Sequence, residues 1–278
     1  MMGQERFSVA ISVYKNDKAD YFDRALESIT DLQSIKPSEI VLVVDGPVDD
    51  SLNAVIDKYE KNHPFFKTIR LDQNCGLGNA LKIAVQNCSC ELIARMDSDD
   101  VALPKRFEEQ LEMFESNPEL DIVGGDISEF IETEENVVAC RKVPKTDSEI
   151  KEYIKKRCPF NHMTVMFKKS AVENAGGYLD LFWNEDYYLW IRMFEHKCNF
   201  ANTRTILVNV RTGKDMYKRR GGIKYFRSEA TLQKYMLDSK IIGFGTYFVN
   251  VTKRFIVQVM LPNKLRGWVF KKFAREKN

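Results

Sequence analysis

Short β-rich runs alternate with stretches of helically spaced apolar residues over the first 125 residues, and this alternation constrains the fold most. Phe7–Val13, Glu39–Val44 and Leu92–Met96 have the length and apolar character of buried strands, and residues 67–71 form a similar run. Helical spacing follows these runs, for example over residues 21–32. Repeated strand–helix units predict an α/β protein with a mixed, mainly parallel sheet that is flanked by helices.

The pattern becomes less regular after residue 125. It predicts helices over residues 147–157 and 183–194, strands over residues 163–168 and 206–210, and a helical stretch that ends near Ser239. We see no internal repeat and no low-complexity linker. We therefore expect one continuous domain over residues 1–215, with a change of character at 125, and a helical extension over residues 216–278.

Acidic residues gather just after three of the four early strands. They lie within residues 45–50, 72–78 and 97–100. In open α/β sheets, ligands bind at the carboxyl ends of the strands, so these segments predict the position of the binding site. Carboxylates held at one sheet edge repel one another unless a cation or a donor-rich ligand lies among them.

The sequence RMDSDD at residues 95–100 is the strongest single signal for chemistry. Because side chains alternate along a strand, Asp97 and Asp99 are expected to face the same side. Such a pair can hold a hard divalent ion that bridges a diphosphate, but a polar turn before the next helix has the same sequence pattern. An EF-hand is excluded, because Ala102 stands where that loop requires glycine.

Two other patterns have simpler explanations. Gly76 and Gly78 form a G-x-G, but Leu81 occupies the third glycine position of a dinucleotide-binding fingerprint. We interpret this segment as a turn that allows close approach of a ligand. The six cysteines include no pair of C-x-x-C motifs, which argues against structural zinc and suits a reducing compartment.

The charge is concentrated at the C-terminal end. The whole chain has a net charge of +2, so a nucleic-acid partner is not indicated, whereas residues 211–278 hold 17 basic and 4 acidic residues. The longest uncharged stretch there, residues 241–252, is shorter than the roughly 20 residues that a membrane-spanning helix needs. We expect a cytoplasmic protein without a signal peptide, whose residues 241–278 either contact the inner membrane face or pack on the domain.

Five segments together resemble the family 2 glycosyltransferases of the GT-A fold. They read VAISVYKND, EIVLVVDGPVDDS, NCGLGNALKIAV, ARMDSDD and FWNEDYYLWIRM, and they occur in the family's order over about residues 5–215. The segments PFNHMTVMFKKS and MYKRRGG make the chain similar to the bacterial branch that builds O-antigen, capsule and exopolysaccharide repeat units. The resemblance implies a donor-binding half over residues 1–125 and an acceptor half over residues 126–215.

The resemblance implies a UDP-sugar donor and a Mn²⁺ or Mg²⁺ ion. Val13 and Tyr14 would lie beside the nucleotide base, and Asp45 would accept a hydrogen bond from the imide N–H of uracil. Asp97 would contact the ribose or the metal shell, and Asp99 would ligate the ion. The family often has a second acidic residue after the position of Asp45, and its absence here leaves the identity of the base open.

The resemblance also implies that Asp186 is the catalytic base, with Glu185 beside it. From the residues alone, the same segment is also an ordinary helix start, in which acidic side chains cap the N-terminus. His162 is either a structural residue or a neighbour of the donor. The other residues implied to contact the donor are Gly76, Arg219 and Arg220.

Four aromatic side chains near Asp186 could form a sugar-stacking face or belong to the core; they are Trp183, Tyr187, Tyr188 and Trp190. Direct sugar transfer from a nucleotide diphosphate needs a neutralised diphosphate, one general base and an in-line geometry, and a single attack of this kind inverts the anomeric centre. The acceptor implied by the resemblance is a glycan, in that branch linked to polyprenyl diphosphate. A nucleotidyltransferase of similar fold and a non-catalytic binding protein are the alternatives.

Overall fold

The computed structural model describes residues 6–213 and 221–262. Its strands are β1 Phe7–Val13, β2 Glu39–Val44, β3 Phe66–Arg70, β4 Leu92–Met96, β5 Val101–Ala102, β6 Ile122–Phe130, β7 Val137–Arg141, β8 Met166–Lys168 and β9 Phe200–Arg211. Its helices are α1 Ala19–Ile29, α2 Asp50–Asn62, α3 Leu77–Asn87, α4 Arg106–Ser116, α5 Asp147–Tyr153, α6 Lys169–Asn174, α7 Glu185–Glu195, α8 Ile223–Asp238 and α9 Phe244–Phe255. A 3₁₀ turn spans His162–Thr164, and a π-helical turn spans Ile256–Met260.

All nine strands belong to one mixed sheet. Its order is β3-β2-β1-β4-β8-β6-β9-β5, and β7 pairs with β6. Strands β1 to β4 are parallel, as the strand–helix alternation predicted, whereas β8 runs antiparallel to β4 and β6. The predicted mixed, mainly parallel sheet is confirmed.

Strand β4 shows how the sheet separates two apolar cores. Its residues Leu92, Ala94 and Met96 point into the core on one face, and Ile93 points into the core on the other face. Since side chains alternate along a strand, Arg95 faces the same side as Ile93. A charged side chain therefore projects into the second core at the carboxyl end of a fully buried strand.

Three predicted elements have different bounds in the structure. The helix predicted over residues 147–157 ends at Tyr153, and the strand predicted over residues 163–168 is a 3₁₀ turn followed by the short β8. The strand predicted over residues 206–210 is the 12-residue β9. Strands β6 and β7, between which residues 132–135 form the predicted turn, were not anticipated.

The helices α8 and α9 pack against the rest of the chain. Leu232 and Met236 of α8 are fully buried in the second core, which also holds Trp190 of α7. The Asn250 side chain of α9 donates to the Lys155 carbonyl at 2.9 Å. Within the described residues, no helix is both long enough and apolar enough to cross a bilayer.

Candidate active site

Asp45, at the carboxyl end of β2, organises the loop that precedes α3. Its Oδ1 accepts from the main-chain N–H of Cys75 at 2.7 Å and from the Cys75 thiol at 3.2 Å. Its Oδ2 accepts from the Asn74 side chain at 2.8 Å and from the Gly76 N–H at 3.0 Å. Gly46 and Gly76 both have positive φ, which is the conformation that favours glycine. The carboxylate thus holds the turn predicted from the G-x-G pattern.

Asp97 follows β4 directly and forms an ion pair with Arg95. The Arg95 side chain is buried, with 1% of the residue exposed. Its Nε and Nη1 have no hydrogen-bond partner among the described residues. Unpaired donors of a buried guanidinium are costly, so Arg95 marks a place where negative charge is favoured.

Asp99 lies near the carboxylates of Asp97 and Asp17. Ser98 donates to Asp17 at 2.8 Å, and Asp17 also accepts from the main-chain N–H of Tyr14 at 3.1 Å. Asp99 is exposed as a residue, and nearby protein atoms nevertheless desolvate its carboxyl group in part. This desolvation, followed by repulsion from Asp97 and Asp17, raises the pKa of Asp99 to about 6.

The donor set at this edge fits a divalent cation only in part. Carboxylate oxygens are the ligands that Mg²⁺ and Mn²⁺ prefer, and the crowding that raises the pKa of Asp99 would be relieved by a cation. In the described part of the chain, no group of three or more Asp, Glu, His or Cys side chains is arranged to hold a metal by itself. Asp97 and Asp99 would therefore supply one or two ligands, and a bound diphosphate would have to complete the shell.

The N-terminus of α7 carries the second pair of acidic residues. Glu185 is 9% exposed and packs near Gly78, so that a Cβ on that glycine would lie 3.3 Å from the Glu185 Cβ. Desolvation, followed by repulsion from Asp186, raises the pKa of Glu185 to about 7. The Asp186 Oδ1 accepts from the Tyr187 N–H at 2.7 Å, and the Cys158 thiol lies 3.8 Å from its Oδ2.

Asp186 and Glu185 differ in what they face. Asp186 lines a cavity of about 390 Å³ between β6, the segment after α5, and the C-terminal helices, whereas Glu185 does not line it. His162 and Trp183 line the same cavity. Asp45, Asp97 and Asp99 lie outside its lining. Asp186 and the strand-end carboxylates therefore do not line one common cavity.

Tyr178 and His162 connect the two groups of acids. Their side chains are hydrogen-bonded at 2.9 Å. Burial raises the pKa of Tyr178. Its hydroxyl also interacts electrostatically with Arg95, Asp186, Glu185 and Asp97. Burial and the nearby Arg95 hold the pKa of His162 well below its usual value, so the imidazole is neutral at physiological pH. His162 therefore lies in the cavity that Asp186 lines and close to Arg95, and its expected place beside the donor stays a prediction.

The aromatic side chains near Asp186 divide between core and surface. Trp190 and Tyr187 are buried in the second core, and Tyr188 stacks against the Arg192 guanidinium at 4.6 Å. Trp183 is 48% exposed and stacks on Phe182 with 4.8 Å between ring centroids. Only Trp183 of the four predicted candidates thus offers an open ring to the cavity.

The remaining predicted residues have mixed placements. Val13 is buried at the end of β1, and the following Tyr14 is partly exposed at the same sheet edge. Arg219 and Arg220, which the resemblance placed at the diphosphate, lie outside the described residues, as do residues 263–278 of the basic tail.

Sequence reasoning missed four residues of this region as participants: Asp17, Arg95, Cys158 and Tyr178. Asp17 joins the β1 loop to the RMDSDD segment through Ser98. The position of Arg95 could have been recognised from the sequence. A charged residue within an otherwise apolar strand predicts a buried charge, and a buried charge requires a partner. The approach of Cys158 to Asp186 joins positions 28 residues apart and left no sequence signal.

Three curated proteins are similar to this chain over nearly its whole length. An uncharacterised glycosyltransferase of Haemophilus influenzae is 39% identical over 98% of this chain and 100% of its own. The amylovoran biosynthesis glycosyltransferase AmsE of Erwinia amylovora is 36% identical over 96% and 98%. The UDP-Gal:alpha-D-GlcNAc-diphosphoundecaprenol beta-1,3-galactosyltransferase of Escherichia coli is 35% identical over 97% of each.

Two solved structures have the same fold. S. aureus TarS 1–349 in complex with UDP-GlcNAc superposes with a TM-score of 0.68 at 14% identity, over 90% of this chain and 72% of that one. The mannosyltransferase PcManGT of Pyrobaculum calidifontis, in complex with GDP-Man and Mn²⁺, gives 0.63 at 13% identity over 95% and 72%. These likenesses confirm the predicted GT-A fold. The model of glycosyl transferase family 2 matches residues 8–174, and with the relatives above it shows that this chain belongs to that family.

Proposed function

We propose that this chain is an inverting, divalent-metal-dependent glycosyltransferase that moves a hexose from a UDP-sugar to a lipid-linked glycan in bacterial surface polysaccharide synthesis. The observation that carries the proposal is the ion pair between Asp97, at the end of β4, and the buried Arg95. The charges of Arg95 and Asp97 also act on Glu185, which lies next to Asp186 at the start of α7. Donor and acceptor chemistry need two acidic groups on opposite sides of one sugar.

The relatives support the substrate classes. The E. coli relative is named for a UDP-sugar donor and a diphosphoundecaprenol-linked acceptor, and AmsE is named for the synthesis of a polysaccharide. Both cover nearly the whole of this chain, so the comparison includes the C-terminal helices as well as the sheet. Membership of a glycosyltransferase family also argues against a nucleotidyltransferase and a non-catalytic binding protein.

Each acidic group has one task in the proposed reaction. A divalent ion at Asp97 and Asp99 would neutralise the diphosphate as it leaves. Asp186 removes the proton from the attacking acceptor hydroxyl, and the Tyr187 N–H fixes the orientation of its carboxylate. A single in-line displacement with one base and no carboxylate nucleophile inverts the anomeric centre.

Asp45 acts mainly through the loop that it holds. Each of its oxygens accepts from two protein donors, so a uracil imide would have to displace one of them. The Cys75 thiol is the weakest of the four donors and is the one that a base would replace. Val13 and Tyr14 border the same edge, and Arg219 and Arg220 are proposed to pair with the diphosphate.

The protein is further proposed to work at the inner membrane face. Helix α9 and the turn after it expose a row of large apolar side chains: Phe244, Phe248, Val249, Phe255, Ile256 and Met260. An apolar helix face next to basic residues is typical of a helix that lies in a lipid interface. A lipid-linked acceptor would be met there.

The experiment is a donor screen with the full-length protein. Purified enzyme is incubated with UDP-glucose, UDP-galactose and their N-acetylated forms, a short-chain prenyl-diphosphate glycan and Mn²⁺, and products are followed by mass spectrometry and NMR. We expect transfer from one UDP-sugar, inversion from α donor to β product, and loss of transfer with a chelator. Retention of configuration, or full activity with the chelator, would contradict the proposal.

A further inference from the structure

We propose that the diphosphate of the acceptor binds to a basic cluster formed by Lys156, Arg157 and Lys253, beside Asp186. This inference rests on the proposed function, because it takes the acceptor to be a glycan on a lipid diphosphate. It adds the site at which the acceptor's phosphates are held, and it assigns a binding role to the packing of α9 against the segment after α5.

The basic cluster and Asp186 line the same cavity of about 390 Å³. Cys158, whose thiol lies 3.8 Å from the Asp186 Oδ2, directly follows Arg157 and Lys156 in the chain. The cluster is therefore one or two residues away from a side chain that contacts the proposed base. In a glycan of one sugar on a diphosphate, the attacking hydroxyl and the phosphates lie on the same sugar ring, which suits this short separation.

Helix α9 brings Lys253 to the same wall of the cavity. The Arg254 Nη2 donates to the Lys156 carbonyl at 2.9 Å, and the Asn250 Nδ2 donates to the Lys155 carbonyl at 2.9 Å. Arg254 also forms a largely buried ion pair with Glu229. These contacts pack the end of α9 against the 155–156 segment, so the three cationic residues lie on one continuous surface.

The charges that remain near the cavity favour an anion. In the part of the chain that the structure describes, Lys156, Arg157 and Lys253 form no ion pair, whereas Arg254 is matched by Glu229. The other acids in the lining are Glu129 and Asp186. Three cations without an ion-pair partner, two of them exposed, offer charge-assisted hydrogen bonds to phosphate oxygens at little desolvation cost.

The donor's own diphosphate is the other source of this chemistry. It is assigned to the strand-end carboxylates, which lie outside the cavity lining. The surface near Lys253 also points to the acceptor, because Phe255 and Ile256, two and three residues after it, are exposed. An exposed apolar face close to a phosphate site suits the lipid chain of such an acceptor.

The test measures binding, so that it does not depend on turnover. Full-length protein is saturated with UDP and Mn²⁺, which occupies the donor site, and is titrated with a short-chain prenyl diphosphate that carries one GlcNAc. The triple variant Lys156→Gln, Arg157→Gln, Lys253→Gln is compared with the wild type. The matched control is Lys61→Gln with Lys105→Gln and Lys240→Gln, which removes three exposed charges elsewhere.

We expect the triple variant to bind the diphosphate probe at least tenfold more weakly, and the control to bind like the wild type. A prenyl-free alkyl GlcNAc without phosphates should bind the wild type and the triple variant equally. Equal affinity of the triple variant and the control for the diphosphate probe would overturn the inference. If the probe binds the wild type tightly and the triple variant weakly, but no sugar is transferred, the inference about the basic cluster holds. That outcome would count against the proposed function alone.

Discussion

Arg95 is a buried cation whose charge acts on residues of both acidic groups. It pairs with Asp97, interacts with Glu185 of α7 and, together with burial as the larger cause, lowers the pKa of His162. We predict that Asp97→Asn lowers the free energy of unfolding by about 3 kcal/mol, because it leaves the buried Arg95 charge without its ion-pair partner. Urea unfolding of Arg95→Met, Asp97→Asn and the double variant measures this coupling.

In that cycle, the double variant should lose less free energy of unfolding than the two single variants lose together, since it removes both charges. Additive losses would show that Arg95 and Asp97 do not stabilise one another. Arg95→Lys should lose less than Arg95→Met, because it keeps the charge and loses only the geometry of the guanidinium.

Glu185 gives a prediction for the dependence of stability on pH. Its pKa of about 7 in the folded chain lies above the ordinary 4.5, because desolvation and repulsion from Asp186 outweigh the nearby Arg95. Between pH 4.5 and 7 the folded state therefore binds more protons than the unfolded state, and this group's contribution to stability falls as the pH rises. Glu185→Gln removes the ionisation.

We expect Glu185→Gln to be more stable than the wild type by about 1–3 kcal/mol at pH 8 and by much less at pH 5, as urea midpoints at the two pH values would show. The exposed Glu60→Gln serves as the control and should show no such change with pH. A gain of equal size at both pH values would mean that burial of the Glu185 charge is not its source.

At the scale of elements, the sequence predicted the parallel half of the sheet well. Strands β1, β2 and β4 have the predicted bounds, because each is a continuous apolar run that is buried on both faces. Strand β6 escaped prediction because Gly124, Gly125, Asp126 and Glu129 interrupt its apolar pattern. The structure buries these residues all the same, and Lys145 pairs with Asp126.

The site was predictable only where it follows strand ends. The acidic segments after β2 and β4 lie at the sheet edge where they were expected, because parallel strands bring their carboxyl ends together. The contacts of Asp17 with Ser98 and of Cys158 with Asp186 join distant parts of the chain. Such pairs depend on tertiary packing, which local spacing does not encode.

The loop held by Asp45 gives the prediction for an element. A Cβ on Gly46 would lie 2.6 Å from the main-chain nitrogen of Asn74, and Gly46 has a φ of 84°. We expect Gly46→Ala to cost about 1–3 kcal/mol of stability and to weaken UDP binding, because the loop must shift away from Asp45. Thermal melts and UDP titration measure both effects, with Gly213→Ala, which meets no atom within 4 Å, as the control. Unchanged UDP affinity in Gly46→Ala would separate this loop from the donor site.

At the scale of the whole molecule, the C-terminal helices bury one side against the domain and expose apolar side chains on the other. Their buried side completes the second core, and their outer side carries Phe244, which is 71% exposed, and Phe248. Both alternatives considered for this region thus have a structural counterpart, packing on the domain for one side and an open apolar face for the other. Contact with a membrane remains a proposal that vesicle binding can test.

We predict that Phe244→Ser with Phe248→Ser lowers co-sedimentation with vesicles that contain anionic lipid at least tenfold, since each Phe contributes about 1.5 kcal/mol or more when it enters an apolar phase. Leu32→Ser, an exposed apolar position on another part of the surface, should sediment like the wild type. If the double Phe variant also sediments like the wild type, α9 does not provide the membrane contact.

The two acidic groups are assigned separate tasks, and one pair of variants tests this assignment. Sugar transfer and Mn²⁺-dependent UDP affinity are measured for Asp99→Asn and Asp186→Asn in the full-length protein. We predict that both variants lose transfer by at least 100-fold, as expected for loss of a general base or a metal ligand. Only Asp99→Asn should lose metal-dependent UDP affinity. Normal transfer by Asp186→Asn, or equal loss of UDP affinity in both variants, would contradict the assignment.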